Sequence, residues 1–284
     1  MSKPEYLNAS VEAAGGVATL KGKIVLITGG ESGIGQACAI AMARAGATII
    51  VTGRSDQGGS ISARGAGLLK GRAAEKGSET VRLIEEIGGK ADYMKLDVTV
   101  EDDWKRVVSD VEKGHGRLDV LVNNAGNVGG DDLSTTDMDT VMYVYHLNIE
   151  GAFLGMTHFW PLLKKSRGVI FNMNSTAGIH GSAGGFAYPA SKGGMLGITR
   201  AAAVDGRPHG IRAISVHPGS TWTPGMQRAR SIDEEEFLKR SVSIPLKRPA
   251  YPADIAVAVV YLASDAARHI SGIQVNIDGG GIAR

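Results

Sequence analysis

Residues 23–35 read KIVLITGGESGIG. A short β-branched, apolar run ends in glycines. An alanine-rich, helix-forming segment, 34–45, comes next and stops at Gly46. A strand that passes through a glycine turn into a helix points backbone N–H groups outward at the positive end of the helix dipole, and that arrangement holds a pyrophosphate. Glycines let the backbone approach such a group closely. The spacing is G-x-x-x-G-x-G and not the more familiar G-x-G-x-x-G. A glycine turn alone can be purely structural. Between the first strand and first helix of a βα series it reads as a phosphate loop.

The series continues outward from this loop. Further strands are expected at 48–52, 91–96, 118–122, 168–173, 211–216 and 273–277, with helices at 78–87, 101–113, 137–165, 188–205 and 252–264. Such regular alternation predicts an α/β fold: a single doubly wound Rossmann-type domain, with a parallel sheet flanked by helices. The domain is expected to span 21–284 after a polar lead-in over 1–20. Residues 55–77, rich in Gly, Ser and Arg, form a long loop insertion. It is either an exposed excursion or a functional segment.

Composition narrows the classes of function. The 284 residues are 43% hydrophobic and 21% charged with a formal net charge of +2. That balance offers no field for a nucleic acid or other polyanion. The one cysteine, Cys38, excludes an intramolecular disulfide framework and a multi-cysteine metal site. No metal is expected, and a cytoplasmic location is. The first residues, MSKPEYLNAS, lack the apolar centre of a signal peptide. No run approaches the roughly 18 apolar residues of a spanning helix, so no membrane partner is expected.

Two downstream features bear on chemistry. The second strand ends at Thr52-Gly53-Arg54-Ser55, with Arg54 nineteen residues after Gly35. An acid near that position holds the ribose 2′-hydroxyl of NAD, whereas an arginine accommodates the 2′-phosphate of NADP. Arg54 therefore favours NADP(H) over NAD(H), while Glu31 brings negative charge into the same loop. Tyr188-Pro189-Ala190-Ser191-Lys192 sets a phenol and an ammonium four residues apart on one helix face. A free tyrosine titrates at about 10, and a neighbouring ammonium is expected to lower that value. Ser175 lies just past an apolar strand, at the edge where parallel sheets bind ligands. Asn148 lies in the helical segment before it.

Taken together, these motifs resemble the short-chain dehydrogenase/reductase family across about residues 21–280. Thr28–Gly35 is similar to its TGxxxGIG, and Asp97-Val98 to its adenine-contacting pair. Asn123-Asn124-Ala125-Gly126 matches NNAG. Asn148, Ser175, Tyr188 and Lys192 match its catalytic tetrad, with the tyrosine thirteen residues after the serine. Pro218-Gly219 through Thr223 matches PGxxxT, and Asp278-Gly279-Gly280 the closing DGG. Ile214 stands where the family often has Asn. The resemblance implies a hydride transfer between a nicotinamide dinucleotide and a carbonyl or secondary alcohol. Tyr188 would be the proton donor and acceptor, Ser175 would orient the substrate oxygen, Lys192 would hold the ribose, and Asn148 would anchor a water. It implies cofactor contacts from Gly29, Glu31, Ser32, Gly33, Ile34, Gly35, Arg54, Ser55, Asp97, Val98, Asn124, Ala125, Gly126, Tyr188, Lys192, Pro218, Gly219, Thr221 and Thr223.

By the same resemblance the substrate pocket draws on Asn127, Ile179, His180, Phe186, Trp222 and Met226. This mostly apolar set points to a hydrophobic or cyclic small molecule. A homo-oligomer, a tetramer, is expected from the resemblance and from the apolar content of residues 148–163, which exceeds one core-facing stripe. The other readings are an NAD-linked dehydrogenase of the same family, a non-catalytic dinucleotide-binding regulator, and another enzyme of the fold such as an epimerase or dehydratase.

Overall fold

The computed structural model describes residues 18–54, 73–127, 132–182, 185–230 and 232–283. Most of the expected lead-in, residues 1–17, and most of the expected insertion, residues 55–72, lie outside the described residues. Seven strands form one sheet: β1 (Ile24–Thr28), β2 (Thr48–Gly53), β3 (Lys90–Lys95), β4 (Val120–Asn123), β5 (Val169–Met173), β6 (Arg212–Pro218) and β7 (Gln274–Ile277). Their order is β3-β2-β1-β4-β5-β6-β7 and every pairing is parallel.

A parallel sheet covered on both faces needs strands apolar on both sides, and the central strands are. On β1, Val25 and Ile27 pack with Cys38 and Met42 of helix α1 (Gly33–Arg44) and with Ile255 and Val259 of the C-terminal helix Pro252–Ala263. Leu26 points the other way, into a second core with Trp104 and Phe159. Those two rings meet edge to face, 6.2 Å between centroids. Trp104 belongs to helix Glu101–His115 and Phe159 to helix Gly151–Ser166.

Chain order reverses between β1 and β4. The carboxyl ends of these neighbours open a crevice there, the usual place for a ligand in such a sheet. No helix among the described residues is long and apolar enough to cross a membrane.

The helices depart from expectation at three places. The second helix runs Ala73–Glu86, beginning five residues earlier than its amphipathic pattern suggested. The expected helix 137–165 is two α-helices, Met138–Tyr145 and Gly151–Ser166, joined through one π-helical turn, His146–Glu150. Three short helices, Ala177–His180, Pro224–Arg230 and Glu234–Ser241, had no sequence-based expectation. The last did carry a signal. Asp233 caps it through Oδ1 to the Glu236 amide at 2.9 Å, with three glutamates in its first turn.

Candidate active site

The crevice holds a cavity of about 790 Å³. Its floor at one end is the glycine loop. Gly29 and Gly33 have φ of +62° and +57°, which only glycine adopts easily. Ser32 precedes α1 in extended conformation without a side-chain cap, and the first turn has no acid. That end of α1 thus keeps its positive dipole toward the cavity. Gly29, Glu31, Ser32, Gly33 and Ile34 line it. Gly35 lies beneath. A Cβ there would fall 2.3 Å from the Gly29 carbonyl oxygen and 2.5 Å from Asn124 Nδ2.

Asn124 braces the loop. Its amide donates to the carbonyl oxygens of Thr28 and Gly29 at 2.9 and 3.1 Å. The Asn124 and Ala125 backbone amides both donate to Thr28 Oγ1 at 2.9 Å. Asn124, Ala125, Gly126 and Asn127 line the cavity beside this brace.

At the tip of β2, Gly53 and Arg54 also line the cavity. The Glu31 carboxylate fills the space a Gly53 side chain would need, with its Cδ 2.0 Å from the Cβ position. The Tyr93 hydroxyl donates to Glu31 Oε1 at 3.1 Å. Val98 and Leu96 line the wall, whereas Asp97 does not. The Asp97 carboxylate accepts from the Thr99 amide and hydroxyl at 3.0 and 2.7 Å. Ser55 lies outside the described residues.

The four tetrad residues converge past β4 and β5. Asn148 is carried by the π turn, a feature that recurs at functional sites. The turn brings its side chain inward, fully buried. Asn148 Nδ2 donates to Ser191 Oγ at 3.0 Å and to the Asn127 carbonyl oxygen at 3.1 Å, and Oδ1 accepts from the Asn127 amide at 2.9 Å. Ser191, to which no motif assigns a role, donates onward to the Tyr188 carbonyl oxygen at 2.7 Å. Tyr188 and Lys192 sit on helix Ala187–Gly206. The Lys192 ammonium donates to the Met173 carbonyl oxygen at 2.7 Å and lies over the Tyr188 ring, 5.7 Å from its centroid. Tyr188 and Ser175 both line the cavity, and the Ser175 side chain acts on the Tyr188 phenol.

The electrostatics differ from the sequence expectation. Burial pushes the Tyr188 phenol up from its ordinary value, opposed by the Ser175 hydrogen bond. Burial brings Lys192 down from 10.5 to about 8. The Lys192 charge is directed to the Met173 carbonyl oxygen and the face of the Tyr188 ring. Each charged form is penalised by its own loss of water.

Behind Ser175 a ring of hydrogen bonds closes. The Ser175 amide donates to Asn174 Oδ1 at 3.0 Å, and Asn174 Nδ2 donates to Ser215 Oγ at 3.1 Å. His217 Nε2 lies 2.7 Å from Ser215 Oγ, and its Nδ1 meets the Ser175 carbonyl oxygen. Both polar groups of the Ser175 backbone are thereby held.

The far wall comes from the end of β6 and the loop and helix after it. Pro218, Gly219, Thr221 and Thr223 line the cavity. Thr223 Oγ1 accepts from the Met226 amide at 3.0 Å and so caps helix Pro224–Arg230. Of the residues expected to meet a substrate, Asn127, His180 and Met226 reach the cavity. Ile179 and Phe186 face outward and are exposed. Trp222 packs on Phe237, 5.0 Å between centroids, and it is Phe237 that lines the cavity. Tyr143, Arg240, Ile244 and Ile282 also line it without having been anticipated as contacts. Tyr143 and Arg240 come from helices Met138–Tyr145 and Glu234–Ser241, Ile244 from the turn after the second of these, and Ile282 from the C-terminal stretch.

The chain is similar to known proteins over most of its length. Residues 29–281 match the family model described as enoyl-(acyl carrier protein) reductase. A 3beta-hydroxysteroid dehydrogenase of Mediterraneibacter gnavus is 35% identical over 277 residues, covering 91% of this chain and 94% of the relative. A cyclopentanol dehydrogenase of Comamonas sp. is 34% identical over 259 residues, covering 91% and 96%. Among solved structures, a Beutenbergia cavernae protein described as an NAD(P) dependent gluconate 5-dehydrogenase, with NADP bound at low occupancy, superposes with a TM-score of 0.82. It is 29% identical, covering 95% of this chain and all of that one. On the matched motifs, the parallel sheet and these relatives, the chain belongs to the short-chain dehydrogenase/reductase family and is an oxidoreductase acting on alcohols and ketones.

Proposed function

We propose that the chain interconverts a hydrophobic or cyclic secondary alcohol and its ketone at the Tyr188 hydroxyl, with a nicotinamide dinucleotide along the glycine loop. The observation that carries this reading is the Tyr188–Ser175 hydroxyl pair facing the cavity, with Lys192 one turn along the same helix.

The residues fit such a cofactor. The glycine loop leaves a cradle that a side chain at Gly29 would fill, its Cβ 3.2 Å from Asn124 Nδ2. The open N-terminus of α1 faces the same space. Gly29, Ser32, Gly33 and Ile34 would hold the pyrophosphate. Val98 would flank the adenine. Thr221, Thr223 and Gly219 would meet the nicotinamide end. When bound, the dinucleotide supplies or accepts the hydride at the substrate carbon.

In reduction, Ser175 Oγ donates a hydrogen bond to the substrate oxygen and orients it. Tyr188 gives its phenolic proton to that oxygen as negative charge develops there. Lys192, its ammonium over the Tyr188 ring, would meet the nicotinamide ribose. Asn148 holds the Asn127 backbone and anchors a water that returns the proton. Oxidation reverses each step. Asn127, His180, Met226 and Phe237 would shape the substrate end. The relatives named for a hydroxysteroid and for cyclopentanol support a cyclic substrate.

Arg54 supports NADP(H) and Glu31 supports NAD(H). Exposed Met138, Tyr145 and Phe153 support a homotetramer. The single cysteine, Cys38, is buried, which suits a cytoplasmic enzyme. The test is a panel of cyclic and aliphatic ketones and alcohols assayed with NADH and with NADPH. Turnover of cyclic secondary alcohols with either dinucleotide is expected. Dinucleotide binding without turnover of any of them would favour a non-catalytic regulator.

A further inference from the structure

We propose that Glu31, and not Arg54, sets the choice of dinucleotide, and that it selects NAD(H) by holding the adenosine ribose diol. This rests on the reading of the cavity as a nicotinamide dinucleotide site.

In doubly wound folds the residue that tells the two dinucleotides apart sits at the tip of the second strand, where an acid accepts hydrogen bonds from the ribose hydroxyls. Here that tip is Gly53-Arg54, with no acid of its own. The structure supplies the acid from another element. The Glu31 carboxylate lies where a side chain on Gly53 would begin, with Oε1 and Oε2 2.1 and 2.4 Å from the Cβ position. Glycine at 53 is what lets the carboxylate in, since any side chain there would displace it. The Tyr93 hydroxyl, on neighbouring β3, donates to Oε1 at 3.1 Å and fixes the head group. Glu31, Gly53 and Arg54 all line the cavity at this end.

A carboxylate suits two vicinal hydroxyls, each of which brings a proton. A 2′-phosphate is almost fully ionised at neutral pH and brings mainly charge. To reach Arg54 at this tip it must come up against Glu31. That like-charge contact offsets what the Arg54 guanidinium gains from the phosphate, whereas the ribose diol of NAD(H) meets the same carboxylate with two hydrogen-bond donors. NADH is therefore expected to bind at least about tenfold tighter than NADPH.

The test is titration of the full chain with NADH and with NADPH, read by nicotinamide fluorescence and independent of turnover. Glu31→Gln keeps the shape and removes the charge. It should move the affinity ratio toward NADPH by about tenfold. Tyr93→Phe, which frees the carboxylate to turn away, should move it the same way by a smaller factor. A wild-type protein that binds NADPH more tightly overturns the proposal. So does a ratio that changes less than about threefold in a Glu31→Gln protein with wild-type melting temperature. Should Glu31→Gln not fold, the wild-type ratio and Tyr93→Phe decide. Binding of neither dinucleotide would overturn the reading of the cavity and this assignment with it. Binding with an unmoved ratio overturns the assignment alone.

Discussion

His217 Nδ1 lies 2.9 Å from the carbonyl oxygen of Ser175, on the neighbouring strand's exit. A carbonyl only accepts, so Nδ1 carries the proton and Nε2 accepts from Ser215. His217 therefore acts as a positioning residue for the serine that faces the substrate. Burial holds its pKa below 6.5, which keeps it neutral.

His217→Leu should leave the Ser175 carbonyl without its donor, costing about 1–3 kcal/mol of stability. It should lower kcat more than it raises KM. His217→Asn can present an amide N–H at the same place and should recover most of both. An unchanged kcat in the leucine variant would contradict the role. There is also a pH signature. The unfolded chain binds the His217 proton below 6.5 more readily than the folded one, so stability falls as pH drops through that value. Urea midpoints of wild type and His217→Asn should converge between pH 7 and 5.

Lys192 gives the opposite end of the pH range. Its folded pKa, about 8, is below its ordinary 10.5. Between those values the unfolded chain binds more protons, so stability rises with pH across that window, and below it the full burial penalty applies. The penalty is on the order of 3 kcal/mol at about 1.4 kcal/mol per decade. Without cofactor, Lys192→Met should be more stable than wild type at pH 7, with the gap narrowing toward pH 10. A constant gap would mean that Lys192 does not carry a buried charge at neutral pH.

The loop-strand-helix logic of residues 23–35 was legible because glycine turns, β-branched runs and alanine-rich helices each obey local rules. The same holds for the Tyr188–Lys192 spacing, which is set by one helix turn. Asn148 was readable as a residue but not as a geometry, because nothing in HLNIE marks a π turn inside an otherwise helical pattern. Glu31 read as a stray negative charge, since its meeting with Gly53 joins the glycine loop to the end of β2, twenty-two residues apart. A still longer separation in sequence hides the His217–Ser175 clamp. Short helices such as Pro224–Arg230 escape periodicity because two turns give too few repeats.

The apolar helix face argued from sequence is partly used up within one chain. Ala152, Met156 and Phe159 are buried in the core, whereas Phe153 stays 54% exposed, with Met138 at 67% and Tyr145 at 50%. Assembly should cover these. Light scattering at micromolar concentration should give a tetramer, and Phe153→Asp should shift it toward smaller species. A 29.6 kDa particle from the wild type would contradict this.

The proton at Tyr188 is the centre of the proposed chemistry. Tyr188→Phe keeps the ring under Lys192 and deletes only the hydroxyl. General acid–base groups contribute about 10²- to 10⁴-fold. The most direct measurement is therefore kcat for the best ketone found, together with the dinucleotide Kd, in wild type and Tyr188→Phe. The expected result is a kcat loss of at least about a hundredfold with Kd changed less than about threefold. A phenylalanine variant that keeps more than about a tenth of wild-type kcat would contradict the proposed role of Tyr188.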